Sequence, residues 1–206
     1  MAIRAVIFDF GSVLVRLEDP GPRRAWEKRL GLPEGGLAEL VFGSEVAARA
    51  SVGQAPDSAV WDHVARVLGL DEAQLAQLYA DFWAGDHLDT ALVAFLRSLR
   101  PRYKTAILSN AQYGARDAFM DVYGLHHVVD LMVISAEEGV AKPDPLIYRR
   151  TLERLDVQPT EALFVDDRLE NVAAARALGM RAVHFSDPET ALAQVREILA
   201  EAPLDA

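Results

Sequence analysis

The chain has 206 residues, of which 51% are hydrophobic, and its 31 Asp and Glu against 21 Lys and Arg give a formal charge of −10. This length suits one sizeable core with a smaller appended unit, since domains usually run about 100 to 200 residues, and the apolar fraction excludes a disordered chain. The absence of cysteine excludes a disulfide scaffold, a zinc–thiolate site and a cysteine nucleophile.

Short apolar runs recur along the chain, and several end in a polar residue. They are AVIFD at 5–9, TAILSN at 105–110, LMVIS at 131–135, ALFVDD at 162–167 and RAVHF at 181–185. Each is typical of a buried parallel strand. Helical patterns separate the later runs, with starts at Asp144-Pro145 and Asp187-Pro188 and an end before Gly179. This alternation predicts an α/β fold with a doubly wound parallel sheet, in which polar residues at the carboxyl ends of strands meet in one crevice.

The connection between the first and second predicted strands is unusually long. It spans about 95 residues, whereas a crossover needs only a dozen or more. Residues 17–87 contain helical patterns and no strand pattern, including helices that begin at Asp57 and Asp71 with these aspartates as N-caps. We therefore predict a helical cap at 17–87, inserted into a core formed by 1–16 and 88–206.

Acidic residues end two of the predicted strands. Asp9 follows the first strand and precedes a glycine-containing turn, a place where aspartate is also a common turn former. Asp166 and Asp167 stand together at the end of another strand, and such carboxylates repel each other unless a cation or a donor compensates. Mg²⁺ fits because it prefers oxygen ligands. A helix N-cap would explain one of the pair but not both, so the residues alone leave both interpretations open.

Two further positions offer donors. Ser109 and Asn110 end the TAILSN run, where a hydroxyl and an amide can donate to phosphate oxygens, although such residues are also ordinary loop starts. Lys142 is followed by the rigid Pro143. Most lysines are simply solvated, but one fixed beside Asp9 would balance its charge and stabilise a transferring phosphoryl group.

The order of these residues resembles the four motifs of the haloacid dehalogenase superfamily. IFDFGSVL, LSN, AKPDPLIY and FVDDRLENVAAARALGM occur in that order, each at a predicted strand end or in the loop after it. The resemblance covers essentially the whole chain, including a helical cap of the C1 type. Within the superfamily the chain is most similar to the small-molecule phosphatases that include sugar-phosphate phosphatases.

The resemblance implies a magnesium-dependent phosphatase in which Asp9 attacks phosphorus and forms an aspartyl-phosphate that water then hydrolyses. Mg²⁺ would be held by Asp9, the main-chain carbonyl of Gly11 and Asp167. Asp166 would either bind the ion directly or hydrogen-bond to groups that do. Ser109 and Asn110 would bind phosphoryl oxygens. Lys142 would bridge the nucleophile and the phosphoryl group.

Gly11 departs from the family's pattern. Most phosphatases of the superfamily carry an aspartate two residues after the nucleophile as general acid and base, and glycine keeps the carbonyl but loses that carboxyl. One alternative is therefore a catalytically silent domain that binds a phosphorylated metabolite or a protein. A second is a 2-haloacid dehalogenase, which shares the nucleophile, but that branch typically has tyrosine at the position of Gly11 and lacks the paired acids.

The expected partner is a small phosphorylated metabolite. The acidic balance argues against a general nucleic-acid binder, because such proteins need a concentrated cationic face. No membrane partner is expected, since no stretch approaches the roughly 18 uncharged residues of a spanning helix, and Asp9 comes too early for a secretory leader. We expect a cytoplasmic protein.

Overall fold

The computed structural model describes residues 2–202. Its strands are β1 (Ala5–Phe8), β2 (Val15–Leu17), β3 (Asp86–Leu88), β4 (Lys104–Ser109), β5 (Leu131–Ile134), β6 (Ala162–Asp166) and β7 (Arg181–His184). Five of them form one sheet in the order β5-β4-β1-β6-β7, and every neighbouring pair in it is parallel. This confirms the predicted sheet. Four of its strands lie within a predicted apolar run, and β4 begins one residue before its run, at Lys104.

Eleven α-helices are described in this part of the chain. They are α1 (Gly21–Leu30), α2 (Gly36–Phe42), α3 (Glu45–Ala50), α4 (Ser58–Leu68), α5 (Glu72–Ala84), α6 (Thr90–Leu99), α7 (Ala115–Asp117), α8 (Ser135–Glu138), α9 (Pro145–Leu155), α10 (Leu169–Ala177) and α11 (Pro188–Glu201). A π-helical turn at Ala118–Val122 continues α7, and 3-10 turns occupy Leu125–His127 and Pro159–Glu161. Among residues 2–202, no helix combines the length and the apolar character that crossing a membrane requires.

Alternation along the strands divides the core into two layers. In β1, Val6 and Phe8 join the apolar cluster that contains residues of α6 and α11, whereas Ile7 joins the cluster that contains residues of α9 and α10. Successive side chains of a strand point to opposite faces, so both faces of this sheet are covered by helices. The doubly wound architecture is therefore confirmed.

Helices α1 to α5 lie between β2 and β3 and have an apolar cluster of their own, which includes the fully buried Leu37, Leu78 and Phe82. The strands β2 and β3 pair antiparallel and form a two-stranded ribbon at the base of this helical insertion. Sequence analysis missed the ribbon, because a three-residue strand is too short to display a period. The predicted boundaries at 17 and 87 fall within these two strands.

The two predicted N-caps of the insertion have different outcomes. Asp71 accepts a hydrogen bond from Gln74 N at 2.8 Å and forms a capping box with that residue, as predicted. Asp57 is the N-cap residue of α4, as predicted, but its side chain makes no capping bond to that helix. Its carboxylate instead accepts hydrogen bonds from the main-chain N–H groups of Tyr113 and Gly114 in the core.

Candidate active site

The site lies where the carboxyl ends of the central strands meet. Asp9 directly follows β1, and its main-chain N–H donates to Val165 O of β6 at 2.8 Å. The Asp9 carboxylate is buried, and its Oδ1 accepts a 2.7 Å hydrogen bond from Phe10 N. The strand order changes direction at β1, because β4 pairs on one side of it and β6 on the other. Ligands of open α/β sheets bind at such switch points.

Lys142 occupies the centre of the site. Its side chain is only 1% exposed, and Nζ lies 2.8 Å from Asp9 Oδ1 and 2.7 Å from Asp166 Oδ2. Nζ also donates to Leu108 O at 2.8 Å. These three partners use all three N–H donors of the ammonium group. The sequence-based expectation that Lys142 lies beside Asp9 is met, and the position of this lysine is fixed on three sides.

Asp166 is fully buried at the end of β6 and is held by donors. Arg168 N donates to its Oδ1 at 2.8 Å, and Asn171 Nδ2 lies 2.9 Å from Oδ1 and 3.1 Å from Oδ2. Asn171 is itself buried on the first turns of α10. The Asn171 amide, five residues after Asp166, therefore holds the Asp166 carboxylate in a fixed orientation.

Asp9, Asp166 and Asp167 form an acidic cluster in which one carboxylate oxygen of each lies within 4.8 Å of the others. Burial raises the pKa of Asp9 to about 7, with the Lys142 charge opposing the rise and the Asp166 charge adding to it. Burial, together with the Asp166 charge, also raises the pKa of Asp167. Hard carboxylate oxygens at this spacing match the ligand preference of Mg²⁺. The donor set therefore fits that cation.

Ser109 and Asn110 lie at the end of β4, and the structure gives them different surroundings. Ser109 is buried as the last residue of the strand. The Asn110 side chain braces the next motif, because its Nδ2 donates to Lys142 O at 2.8 Å and its Oδ1 accepts from Lys142 N at 2.8 Å. The amide of Asn110 thus fixes the main chain of Lys142, a contact that sequence reasoning did not anticipate.

Gly11 and Ser12 form the turn after the predicted nucleophile. Gly11 is exposed, and a Cβ built on it would meet no atom within 4 Å. The left-handed conformation belongs to Ser12, with φ 61°, and not to Gly11. A possible need for positive φ at Gly11 is therefore excluded, and this position has room for a side chain.

His184 was missed as a residue of the site. It ends β7, and its Nε2 lies 2.9 Å from Asp167 O, so the imidazole supports the loop that carries the paired acids. A cavity of about 450 Å³ opens beside this loop and is lined by Ser12, Asp167 and His184 among others. The signal that identified the acids, a polar residue at the carboxyl end of a strand, also applies to His184.

Comparison with known proteins gives a consistent family. The sequence profile described as haloacid dehalogenase-like hydrolase matches residues 3–179. A sesquiterpene phosphatase of Aspergillus oryzae is 27% identical over 199 residues, which are 95% of this chain and 96% of that protein. A phosphatase of Mycobacterium tuberculosis is 31% identical over 195 residues, 88% of this chain and 87% of that protein. Other curated relatives are longer, and the chain spans 19% to 41% of their length.

Solved structures with the same fold include both phosphate-bound and dehalogenase members. A family enzyme from Bacteroides thetaiotaomicron, in complex with magnesium and inorganic phosphate, has a TM-score of 0.75 at 20% identity and covers 92% of this chain and 98% of its own. The L-2-haloacid dehalogenase of Xanthobacter autotrophicus has a TM-score of 0.66 at 25% identity and covers 99% of this chain and 85% of its own. The shared fold therefore does not by itself choose between these two activities.

Proposed function

Because the chain belongs to the haloacid dehalogenase-like hydrolase family, we propose that it is a magnesium-dependent phosphatase that hydrolyses a small phosphorylated metabolite through an aspartyl-phosphate on Asp9. One observation carries the proposal: the Asp9 carboxylate lies against the Lys142 ammonium on one side and belongs to a cluster of three carboxylates. This arrangement places a nucleophile beside one cation, Lys142, and within a set of carboxylates suited to a second, Mg²⁺; phosphoryl transfer requires such positive charge.

In the first step an oxygen of Asp9 attacks phosphorus, and the bond from phosphorus to the leaving oxygen breaks. Attack by a carboxylate on a phosphate dianion brings like charges together, so positive charge must be present before the reaction begins. Lys142 supplies part of this positive charge. Its ammonium group stays in a fixed position, because it makes three hydrogen bonds within the protein. The Ser109 hydroxyl, at the end of β4, donates to a phosphoryl oxygen.

Mg²⁺ would be held by Asp9, Asp167 and the carbonyl of Gly11, with Asp166 either binding directly or orienting the others. When bound, the cation neutralises phosphoryl oxygens and stabilises charge that develops on them. Asp166 is better suited to orientation, because Lys142, Asn171 and Arg168 N already occupy its oxygens. Asp167 lines the cavity and is the acid more accessible to a hydrated cation.

In the second step water attacks phosphorus, the bond to Asp9 breaks, and inorganic phosphate leaves with Asp9 restored. Two proton transfers accompany the cycle, one to the leaving oxygen and one from the attacking water. Gly11 cannot carry out either, because it has no carboxyl group. The proton for the leaving oxygen therefore comes from water, from the cap or from the substrate's own hydroxyl groups.

The paired acids favour a phosphatase over a 2-haloacid dehalogenase. Displacement at carbon by Asp9 requires no divalent cation, and a cluster of three carboxylates with a single lysine would then stay undercompensated. A catalytically silent domain is disfavoured by the same geometry, since Lys142 is placed for charge compensation at the nucleophile. The relatives that carry the name phosphatase support this choice.

The proposal is tested by a screen of phosphorylated metabolites with and without Mg²⁺, together with 2-chloropropionate. We expect phosphate release that requires Mg²⁺, no chloride release, and complete loss of turnover in Asp9→Asn. Mass spectrometry of protein quenched during turnover should place the phosphoryl adduct on Asp9. Chloride release, an adduct on another residue, or turnover in Asp9→Asn would overturn the assignment, and binding of phosphorylated compounds without any release would identify a silent domain.

A further inference from the structure

Asp57 belongs to the cap but makes its hydrogen bonds with the core. It lies immediately before α4, and its Oδ1 and Oδ2 accept hydrogen bonds from Tyr113 N at 3.2 Å and from Gly114 N at 2.7 Å. Hydrogen bonds to an ionised acceptor are the stronger ones in proteins. The segment that Asp57 holds begins directly after Ser109 and Asn110, the predicted phosphate-binding residues.

Ser135 makes a second connection between the cap and the same segment. Its buried hydroxyl donates to Ser51 O of the cap at 2.5 Å and accepts from Ala111 N at 3.0 Å. The main chain continues this contact, because Ala136 N donates to Ala111 O at 3.2 Å. Both ends of the segment from 111 to 114 are therefore linked to the loop from 51 to 57 of the cap.

Gly53 allows the cap loop to come this close. Its φ is +71°, and a Cβ built on it would lie 2.5 Å from Ala136 O and 2.6 Å from the Tyr113 hydroxyl. Any larger residue would therefore clash with main-chain and side-chain atoms of the core. The loop and the core are therefore in close contact at Gly53.

The held segment leads into the catalytic centre through Asn110. The side chain of Asn110 makes two 2.8 Å hydrogen bonds with the main chain of Lys142, and the Lys142 ammonium contacts Asp9 at 2.8 Å. An unbroken series of hydrogen bonds and peptide units thus connects the Asp57 carboxylate in the cap with the nucleophile.

We infer that Asp57 is a positioning residue, which fixes the segment after Ser109-Asn110 when the cap contacts the core and through Asn110 holds Lys142 over Asp9. The inference rests on the proposed function for its catalytic consequence. Asp57 acts from a distance, since its own carboxylate is occupied by Tyr113 N and Gly114 N. Loss of the carboxylate should therefore lower turnover through Lys142 and leave the protein folded.

Amide hydrogen exchange tests the mechanical part without any substrate. In Asp57→Ala, the amides of Tyr113 and Gly114 should exchange at least about ten-fold faster, because each loses its acceptor. The amide of Lys142, which donates to Asn110, should also exchange faster. Asp62→Asn is the matched control, since Asp62 is an exposed acid on the same helix, and it should leave all three amides unchanged. Unchanged protection of Lys142 in Asp57→Ala would overturn the inference.

Kinetics tests the catalytic part. We expect Asp57→Ala to lower kcat about ten-fold, which is less than the roughly 100-fold that a 1 Å misplacement of a catalytic group can cost. The effect should be smaller in Asp57→Asn, whose amide oxygen can still accept one of the two bonds. In an Asn110→Ala background, Asp57→Ala should add little, because residues acting through one contact are not additive. Two outcomes would overturn the positioning role of Asp57. One is that the effects of Asp57→Ala and Asn110→Ala on kcat are fully additive, and the other is that amide exchange becomes faster while kcat stays unchanged. Absence of phosphatase activity in the parent protein would instead count against the proposed function and leave the exchange result valid.

Discussion

The Lys142 ammonium and the Asp9 carboxylate form a buried ion pair, with 2.8 Å between Nζ and Oδ1. Burial raises the pKa of Asp9, and the neighbouring lysine opposes that rise. The raised pKa of Asp9, about 7, is close to neutral pH. Because the carboxylate is already buried, it loses little further solvation when substrate binds. The Lys142 charge therefore reduces the cost of burying the Asp9 carboxylate, and in the proposed reaction it compensates the charge of the same group.

Removing Lys142 should destabilise the metal-free protein. Lys142→Met leaves Asp9 and Asp166 buried beside each other without a cation, and breaking a buried pair in this way costs about 3 to 5 kcal/mol of unfolding free energy. Urea unfolding in the presence of a chelator measures the loss. Lys28→Met, at an exposed lysine of α1, is the control and should stay within about 0.5 kcal/mol of the parent protein. Equal stability of the two variants would contradict a charge-compensating role for Lys142.

Magnesium binding should depend on pH through Asp9. Because the pKa of Asp9 is raised to about 7, this carboxyl is increasingly protonated below that pH in the metal-free protein, and Mg²⁺ must displace the proton. The apparent Kd for Mg²⁺ should therefore increase as pH falls from 7 to 5, approaching about ten-fold per pH unit, and should change less above pH 8. Calorimetric titrations across this range measure it. Asp9→Asn should flatten the profile below pH 7, and an equally steep profile in that variant would assign the proton to another group.

Asp167 should contribute directly to magnesium affinity. Replacing residues that merely orient metal ligands typically costs about 10- to 100-fold in affinity, so Asp167→Asn, which removes a charged ligand, should cost at least as much. Asp187→Asn is the matched control, because Asp187 lines the same cavity and its N-cap role is one that asparagine can keep. Equal Mg²⁺ affinities of the two variants would exclude Asp167 as a ligand.

The parts of the fold that follow from local patterns were predictable from the sequence. Each strand of the main sheet is an apolar run covered by helices on both faces, and the polar residue at its end or directly after it marks the edge where the site forms. Asp9 and the Asp166-Asp167 pair are brought together because β1 and β6 pair in parallel with both carboxyl ends at one edge. Strand order and register therefore explain why residues that are far apart in the sequence form one cluster.

The parts that depend on tertiary partners were not predictable. Asp57 precedes a helix and therefore has the local pattern of an N-cap, but its carboxylate bonds to Tyr113 N and Gly114 N, 56 and 57 residues away in the chain. The amide of Asn110 likewise bonds to Lys142, 32 residues away. In both cases the local pattern leaves several hydrogen-bond partners possible. Tertiary packing chooses among them, between the helical insertion and the core for Asp57 and within the core for Asn110.

Gly11→Asp should restore the carboxyl group that most phosphatases of this family have two residues after the nucleophile. General acid catalysis typically contributes about 100- to 10,000-fold, and its benefit grows with the basicity of the departing oxygen. The substitution is compatible with the fold, because a Cβ at Gly11 meets nothing within 4 Å and the backbone there has no positive φ. We therefore expect kcat/KM to increase more for alkyl phosphates than for p-nitrophenyl phosphate, whose leaving group needs little protonation. Gly11→Asn is the control, since it adds a similar volume without a titratable proton and should change both substrates alike. An equal gain for both substrates in Gly11→Asp would mean that another group already protonates the leaving oxygen in the parent protein.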